Sequence, residues 1–140
     1  MIILDASVIL KMIFEEQDTN LALKLRENHI TGKEKMAAPE LLYYELANVL
    51  ATKTPLSVKS SSSALTEIFN LEIETYTLGV EEFLSSINLS HKYKISVYDA
   101  SYMILAERLN CNFITADAKL VKKTKDLKFV RLLNDIKVLS

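Results

Sequence analysis

Two runs in this chain, Met1-Ile2-Ile3-Leu4 and Asn112-Phe113-Ile114-Thr115, are apolar along nearly their whole length instead of alternating with polar residues. A strand with one wet face alternates, whereas a strand covered on both faces does not. These runs therefore predict central strands of a parallel sheet held between layers of helix. The remaining sequence agrees. Short β-type runs fall near residues 2–4, 36–38, 73–76, 112–115 and 129–132. Between them lie helix-length amphipathic segments near 6–14, 18–30, 40–52, 58–70, 80–92, 97–109 and 117–125, and a short turn follows Asn134. Strands alternating with helices are joined by right-handed crossovers. The expectation is an α/β fold, a three-layer α/β/α sandwich with a central parallel sheet of about five strands.

A length of 140 residues fits one domain spanning 1–140. The 49% hydrophobic content can fill a core without staples. A single cysteine, Cys111, forbids an intramolecular disulfide and a cysteine-based zinc site. His29 and His91 are the only histidines, too few and too far apart for a His-rich zinc hydrolase. Both are expected at the surface, with Cys111 acting as a small hydrophobe. Two glycines leave no room for a Gly-rich phosphate loop or a G-x-S-x-G elbow. Asp5 interrupts the first apolar run after four residues, and no run approaches the ~20 residues of a spanning helix. A soluble, cytoplasmic protein without membrane contact is expected. Pro39 is expected to open the third helix, where its missing N–H costs nothing.

The chemistry lies in four acids. Asp5 and Asp117 each follow an apolar strand at its C-terminal end, where open parallel sheets bind ligands. Asp99 opens an apolar helix. Glu45 projects only ~60° from Leu42 on a helix whose apolar face is set by Leu42, Leu46 and Val49. Each Asp has a simpler explanation as a helix cap, Asp5 and Asp117 directly and Asp99 within a capping box begun by Ser96. Three independent caps leave Glu45 unexplained. Gathered in one cleft, such carboxylates repel by roughly 4 kcal/mol per pair at ~4 Å with an effective dielectric of about 20. A divalent cation removes that cost, and hard cations held by carboxylates commonly act on phosphates.

The fragments Ile2-Ile3-Leu4-Asp5-Ala6-Ser7, Pro39-Glu40-Leu41-Leu42-Tyr43-Tyr44-Glu45-Leu46-Ala47-Asn48-Val49-Leu50, Tyr98-Asp99-Ala100-Ser101-Tyr102 and Ile114-Thr115-Ala116-Asp117-Ala118-Lys119-Leu120 occur in order. Together they resemble PIN-domain ribonucleases, and most closely the VapC toxins of VapBC toxin–antitoxin pairs, over essentially the whole chain. The resemblance implies a Mg²⁺- or Mn²⁺-dependent endoribonuclease using one or two ions. It assigns catalysis to Asp5, Glu45, Asp99 and Asp117, with Asp5, Asp99 and Asp117 as metal ligands and Ser7 and Thr115 as supporting hydroxyls. It also implies a cognate antitoxin and a homodimer.

An RNA substrate needs a local basic strip, because 17 basic and 18 acidic residues leave a net charge of −1. Lys119, Lys122 and Lys123 beside Asp117 supply a candidate, against the alternative of a solvated helix face. Tyr43, Tyr44, Tyr98 and Tyr102 are expected as buried or edge-packed residues, with base stacking as the other reading. Haloacid-dehalogenase phosphatases need an acid where Ser7 stands, and receiver domains need an Asp ending the third strand, which Glu72–Leu78 does not provide. Flap-type nucleases require elements that a chain this short hardly holds. The non-enzymatic alternative is a catalytically silent PIN-like module acting through protein or RNA binding.

Overall fold

The computed structural model describes residues 1–138. Strand β1 (Ile2–Leu4) is buried on both faces, with Ile3 and Leu4 essentially inaccessible. Helices α1 (Ala6–Leu10) and α2 (Thr19–Ile30) lead to strand β2 (Met36–Pro39). Helices α3 (Leu41–Thr52) and α4 (Val58–Phe69) then precede strand β3 (Glu74–Tyr76). Helices α5 (Val80–Tyr93) and α6 (Val97–Arg108) return the chain to strand β4 (Asn112–Thr115). Helix α7 (Ala118–Lys123), strand β5 (Val130–Leu132) and a 3₁₀ turn at Leu133–Asp135 complete the order.

The sheet runs β3-β2-β1-β4-β5 and every pairing is parallel. Ile2, Ile3 and Leu4 pair with Asn112, Phe113 and Ile114, so the two apolar runs are neighbours at the centre. The chain winds outward from β1 to β3, then crosses back to place β4 on the other side of β1. That reversal opens a crevice at the carboxyl ends of β1 and β4. The expected α/β/α sandwich with five parallel strands is observed.

Helix α6 packs against β1, β2 and β4. Ala100 through Ala106 are all buried, including Tyr102, Met103 and Leu105. A helix apolar on every side belongs in the interior, and α6 is fixed accordingly. Its orientation therefore fixes Asp99 in its first turn.

Several boundaries differ from those the sequence suggested. Helix α1 ends at Leu10 rather than near Phe14, because Lys11, Met12 and Ile13 switch to hydrogen bonds three residues back. Pro39 ends β2 instead of opening α3. Pairing with β1 stops at Ala37, so no ladder bond toward β1 is lost at Pro39, and Glu40 resumes the bonding by donating to the Tyr76 carbonyl at 3.1 Å. The buried stripe of α3 is Leu42, Leu46 and Leu50, with Val49 only half-buried.

His29 is not a surface residue, whereas His91 is. The His29 ring lies at the end of α2, 3% exposed. Its Nδ1 accepts from the Met36 N–H at 2.9 Å, and its Nε2 lies 2.7 Å from the Leu71 carbonyl. An amide N–H can only donate and a carbonyl can only accept, so Nε2 carries the proton. The ring thus joins α2 to the start of β2 and to the turn before β3. Replacing His29 with Ala leaves the Met36 amide and the Leu71 carbonyl unpaired in the interior. Destabilisation of about 2–4 kcal/mol is expected, read as a lower urea midpoint; a change below ~0.5 kcal/mol would show the ring to be incidental.

Candidate active site

The crevice at the carboxyl ends of β1 and β4 is organised around Asp5. Asp5 is the N-cap of α1 and is 7% exposed. The Ser7 hydroxyl donates to Asp5 Oδ1 and the Thr115 hydroxyl donates to Oδ2, both at 2.5 Å. Each hydroxyl is itself anchored: the Ala116 N–H donates to Ser7 Oγ at 2.9 Å, and the Asp117 N–H donates to Thr115 Oγ1 at 3.1 Å. Both carboxylate oxygens are therefore tied to the junction between β4 and α7. The pairing of β1 with β4 is what makes this possible, since Ser7 and Thr115 are remote in sequence.

Asp117 is the exposed N-cap of α7, and its Oδ1 accepts from the Lys119 and Leu120 amides at 3.0 and 3.1 Å. Asp99 is half-buried in the first turn of α6. Its own amide is capped by Ser96 Oγ at 3.0 Å. Ser96 therefore caps the helix, and the Asp99 carboxylate is not needed for that task. Glu45 is half-buried on α3, and the Tyr102 hydroxyl donates to its Oε1 at 2.6 Å.

The four acids share one electrostatic field. Burial, opposed by the Ser7 and Thr115 hydroxyls, lifts the Asp5 carboxyl from its ordinary 3.8 to about 6, with the Asp99 charge adding to the rise. Burial also raises Glu45, again with a contribution from Asp99. Asp99 is raised by burial and by the charge of Asp117, while a hydrogen bond with the Ser96 side chain and the charge of Lys123 oppose the rise. Asp99 is thus the acid that feels or perturbs each of the other three. Burial and the neighbouring Glu45 carboxylate push the Tyr102 hydroxyl upward, so it remains a donor. Among the described residues no group of three His, Cys, Asp or Glu side chains is close enough, as placed, to hold one ion.

Of the lysines, Lys123 reaches the site's field and donates to the Lys94 carbonyl at 3.0 Å. Lys119 and Lys122 are exposed on α7 and make no ion pair with a described residue. The tyrosines divide. Tyr43 stacks on Phe69 at 4.0 Å between ring centres, and Tyr102 is buried against Phe113. Tyr44 and Tyr98 are instead exposed, contrary to the packed reading, because α3 and α6 turn those positions toward an open groove shared with Leu41 and Phe83. Two partners of the acids differ in how far the sequence shows them. Ser96 was legible from its spacing to Asp99, but the pairing of Tyr102 with Glu45 needs the packing of α3 beside α6.

A parallel sheet carrying acids at its topological switch defines a class of α/β proteins that includes many phosphate-processing enzymes. The family model described as PIN domain matches residues 2–126. Ribonuclease VapC3 of Pyrobaculum aerophilum is 27% identical over 129 residues, covering 87% of this chain and 93% of that protein. Ribonuclease VapC9 of Mycobacterium tuberculosis is 30% identical over 124 residues, covering 86% and 88%. The crystal structure of PAE2754 from Pyrobaculum aerophilum superposes with a TM-score of 0.68 at 22% identity, over 95% of this chain and 90% of that one. The chain belongs to the PIN domain family, and its relatives place it with the VapC type.

The burial of Asp5 has a consequence for stability. Folded Asp5 keeps its proton up to about pH 6, whereas the ordinary carboxyl value is 3.8. Between those values unfolding releases a proton, so rising pH favours the unfolded chain, and the cost levels off above the folded value. The raised Glu45 and Asp99 act in the same direction. An Asp5→Asn variant has no charge to bury. In chelator, its advantage over the parent is expected to grow from near zero around pH 4 to at most about 3 kcal/mol above pH 7. Urea titrations across that range measure it, and equal stability at neutral pH would contradict the burial argument.

Proposed function

We propose that this protein is a divalent-metal-dependent endoribonuclease, the toxin of a type II toxin–antitoxin pair. The observation that carries the reading is the set of carboxylates coupled through Asp99 at the carboxyl edge of the sheet. Membership of the PIN domain family and relatives named as VapC ribonucleases support it. The donor chemistry fits a hard cation: the acids offer oxygen alone, with His29 engaged elsewhere and Cys111 beside the start of β4. Asp5, Asp99 and Asp117 would hold Mg²⁺ or Mn²⁺, with Glu45 orienting water or completing the set.

Such an ion, when bound, supplies Lewis acidity that makes water nucleophilic near neutral pH and offsets charge on the scissile phosphate. The protein's own groups do the rest. Ser7 and Thr115 hold Asp5 in one orientation through both oxygens. The N-termini of α1, α6 and α7 meet the site, and their positive ends favour anionic groups there. Lys123, with Lys119 and Lys122 on the same short helix, offers the backbone of RNA a cationic border. Water-driven hydrolysis leaves a 5′-phosphate and a 3′-hydroxyl.

Two surfaces support the partner expectations. The apolar groove between α3 and α4, about 270 Å³ and lined by Ala47, Leu50, Leu56, Val58 and Leu65, suits an amphipathic helix or extended segment of an antitoxin. Helix α5 exposes Val80, Phe83, Leu84 and Ile87 on one stripe, with acidic residues in its first turn and His91 and Lys92 in its last. Two such helices packed antiparallel about a two-fold axis match charge as well as apolar surface, which suits a homodimer. No helix among the described residues is long and apolar enough to cross a membrane.

Cleavage of RNA in Mn²⁺ or Mg²⁺, blocked by chelator, tests the reading. Asp99→Asn keeps the shape and removes the shared charge, so a loss of at least ~100-fold in kcat is expected; full activity in the variant would defeat the metal-site claim, and an inactive parent would favour the silent binding module. Replacing Lys122 and Lys123 together by Ala is expected to weaken RNA binding and lower the slope of log affinity against log salt by about 1–2. An unchanged slope would remove those two lysines from the RNA path.

A further inference from the structure

Tyr102 lies three residues after Asp99 on α6 and is 1% exposed. Its ring stacks on Phe113, with 5.5 Å between centres and 14° between planes. Phe113 is a fully buried residue of β4, the strand that also supplies Thr115 to Asp5. The ring is therefore held on one side by the central sheet and on the other by its own buried helix. Phenol has only two torsions along its side chain, and both are fixed here by packing. What remains is a hydroxyl placed with little freedom, and it donates to Glu45 Oε1 at 2.6 Å.

Glu45 needs such a partner. Asp5 has two hydroxyls, Asp117 has two backbone amides and Asp99 has Ser96 nearby. Glu45 is borne by the longest and most flexible of the four acidic side chains. Its only hydrogen bond to a described residue comes from Tyr102. That bond fixes Oε1 and leaves Oε2 as the oxygen free to meet a ligand. The donor is also neutral. A lysine or arginine in the same place would cancel charge that a cation needs to find, whereas a phenol orients the carboxylate and leaves its charge in the site.

We infer that Tyr102 is a positioning residue of the nuclease site, holding Glu45 by one oxygen and leaving the other available to a cation that the acids would bind. This rests on the proposed metal-dependent function and adds to it a residue on the inner side of the acids. The alternative is a core tyrosine whose hydroxyl merely found a nearby acceptor. The two differ in what a Tyr102→Phe variant loses. Phenylalanine keeps the ring, the stack on Phe113 and the fill of the core, and removes only the donor.

Partners that orient groups around a metal typically change metal affinity or activity by about 10–100-fold when removed. For Tyr102→Phe, kcat for RNA cleavage is expected to fall about 10-fold or more, with KM for RNA changed less than about twofold. Binding of Mn²⁺ to the RNA-free protein, followed by calorimetry or by loss of the free-ion electron paramagnetic resonance signal, is expected to weaken by about 10-fold. The same comparison in a Glu45→Gln background separates positioning from general damage. There the Tyr102→Phe change is expected to alter Mn²⁺ affinity by less than about twofold, because the carboxylate charge that Tyr102 orients is already gone.

A Tyr102→Phe protein with parental kcat and parental Mn²⁺ affinity overturns the inference, whatever its melting temperature does. An equal loss in the parent and Glu45→Gln backgrounds also overturns it, since the effect would not pass through Glu45. A parent that neither binds Mn²⁺ nor cleaves RNA overturns the proposed function and this inference with it. A parent that does both, beside an unaltered Tyr102→Phe variant, removes the inference alone.

Discussion

A carboxylate buried at the centre of the fold is the constraint on which the rest depends. Left unpaired, Asp5 would cost several kcal/mol. The fold meets that demand with two hydroxyls, each steadied by a backbone amide of the β4–α7 junction. The arrangement requires β1 and β4 to be adjacent and in register, with β4 running one residue past the last pair so that Thr115 meets Asp5, as it does. The acid is thereby fixed in place, yet still poorly solvated and reluctant to ionise. Such a group gains from any cation that joins it. Structural discomfort and ligand affinity are here the same quantity viewed from two sides.

Capping and the proposed ligation are not rival explanations. Asp5 caps α1 and Asp117 caps α7. A helix N-terminus holds a carboxylate in a known direction and stabilises its negative charge. Both effects would preorganise the proposed ligand set, since a fold that places three helix starts around one crevice acquires fixed acids as a by-product of ending its strands. Asp99 differs, because Ser96 caps its amide and the Asp99 carboxylate is not itself the cap. That division of labour explains why Asp99 couples to Asp5, Glu45 and Asp117 alike.

What could be read from the chain follows the range of each interaction. The unalternating runs Ile2–Leu4 and Asn112–Thr115 announced central strands because burial on both faces is a local demand on every residue. The positions of Asp5 and Asp117 followed from strand ends, and Ser96 from its spacing to Asp99. His29 could not be read correctly, since its partners lie on β2 and before β3, and a histidine closing a helix looks solvated in sequence. Pro39 misled because a proline before a helix and a proline ending a strand look alike until the neighbouring ladder is known to stop. Tyr44 and Tyr98 misled in the opposite direction: their exposure is decided by how α3 and α6 face an open groove, which no local pattern encodes.

The route by which the site assembles also follows from topology. Thr115 and Asp5 are separated by 110 positions, and Tyr102 and Glu45 by 57. Neither contact can form from local structure, and closing loops of that size is entropically costly before any burial offsets it. The crossing from β3 back to β4 must be complete before Asp5 meets Thr115, and α6 must be seated before Tyr102 meets Glu45. The acids therefore come together only through pairings distant in sequence. A partly folded chain would lack these contacts, so the proposed hydrolytic site depends on the same long-range pairings as the native core.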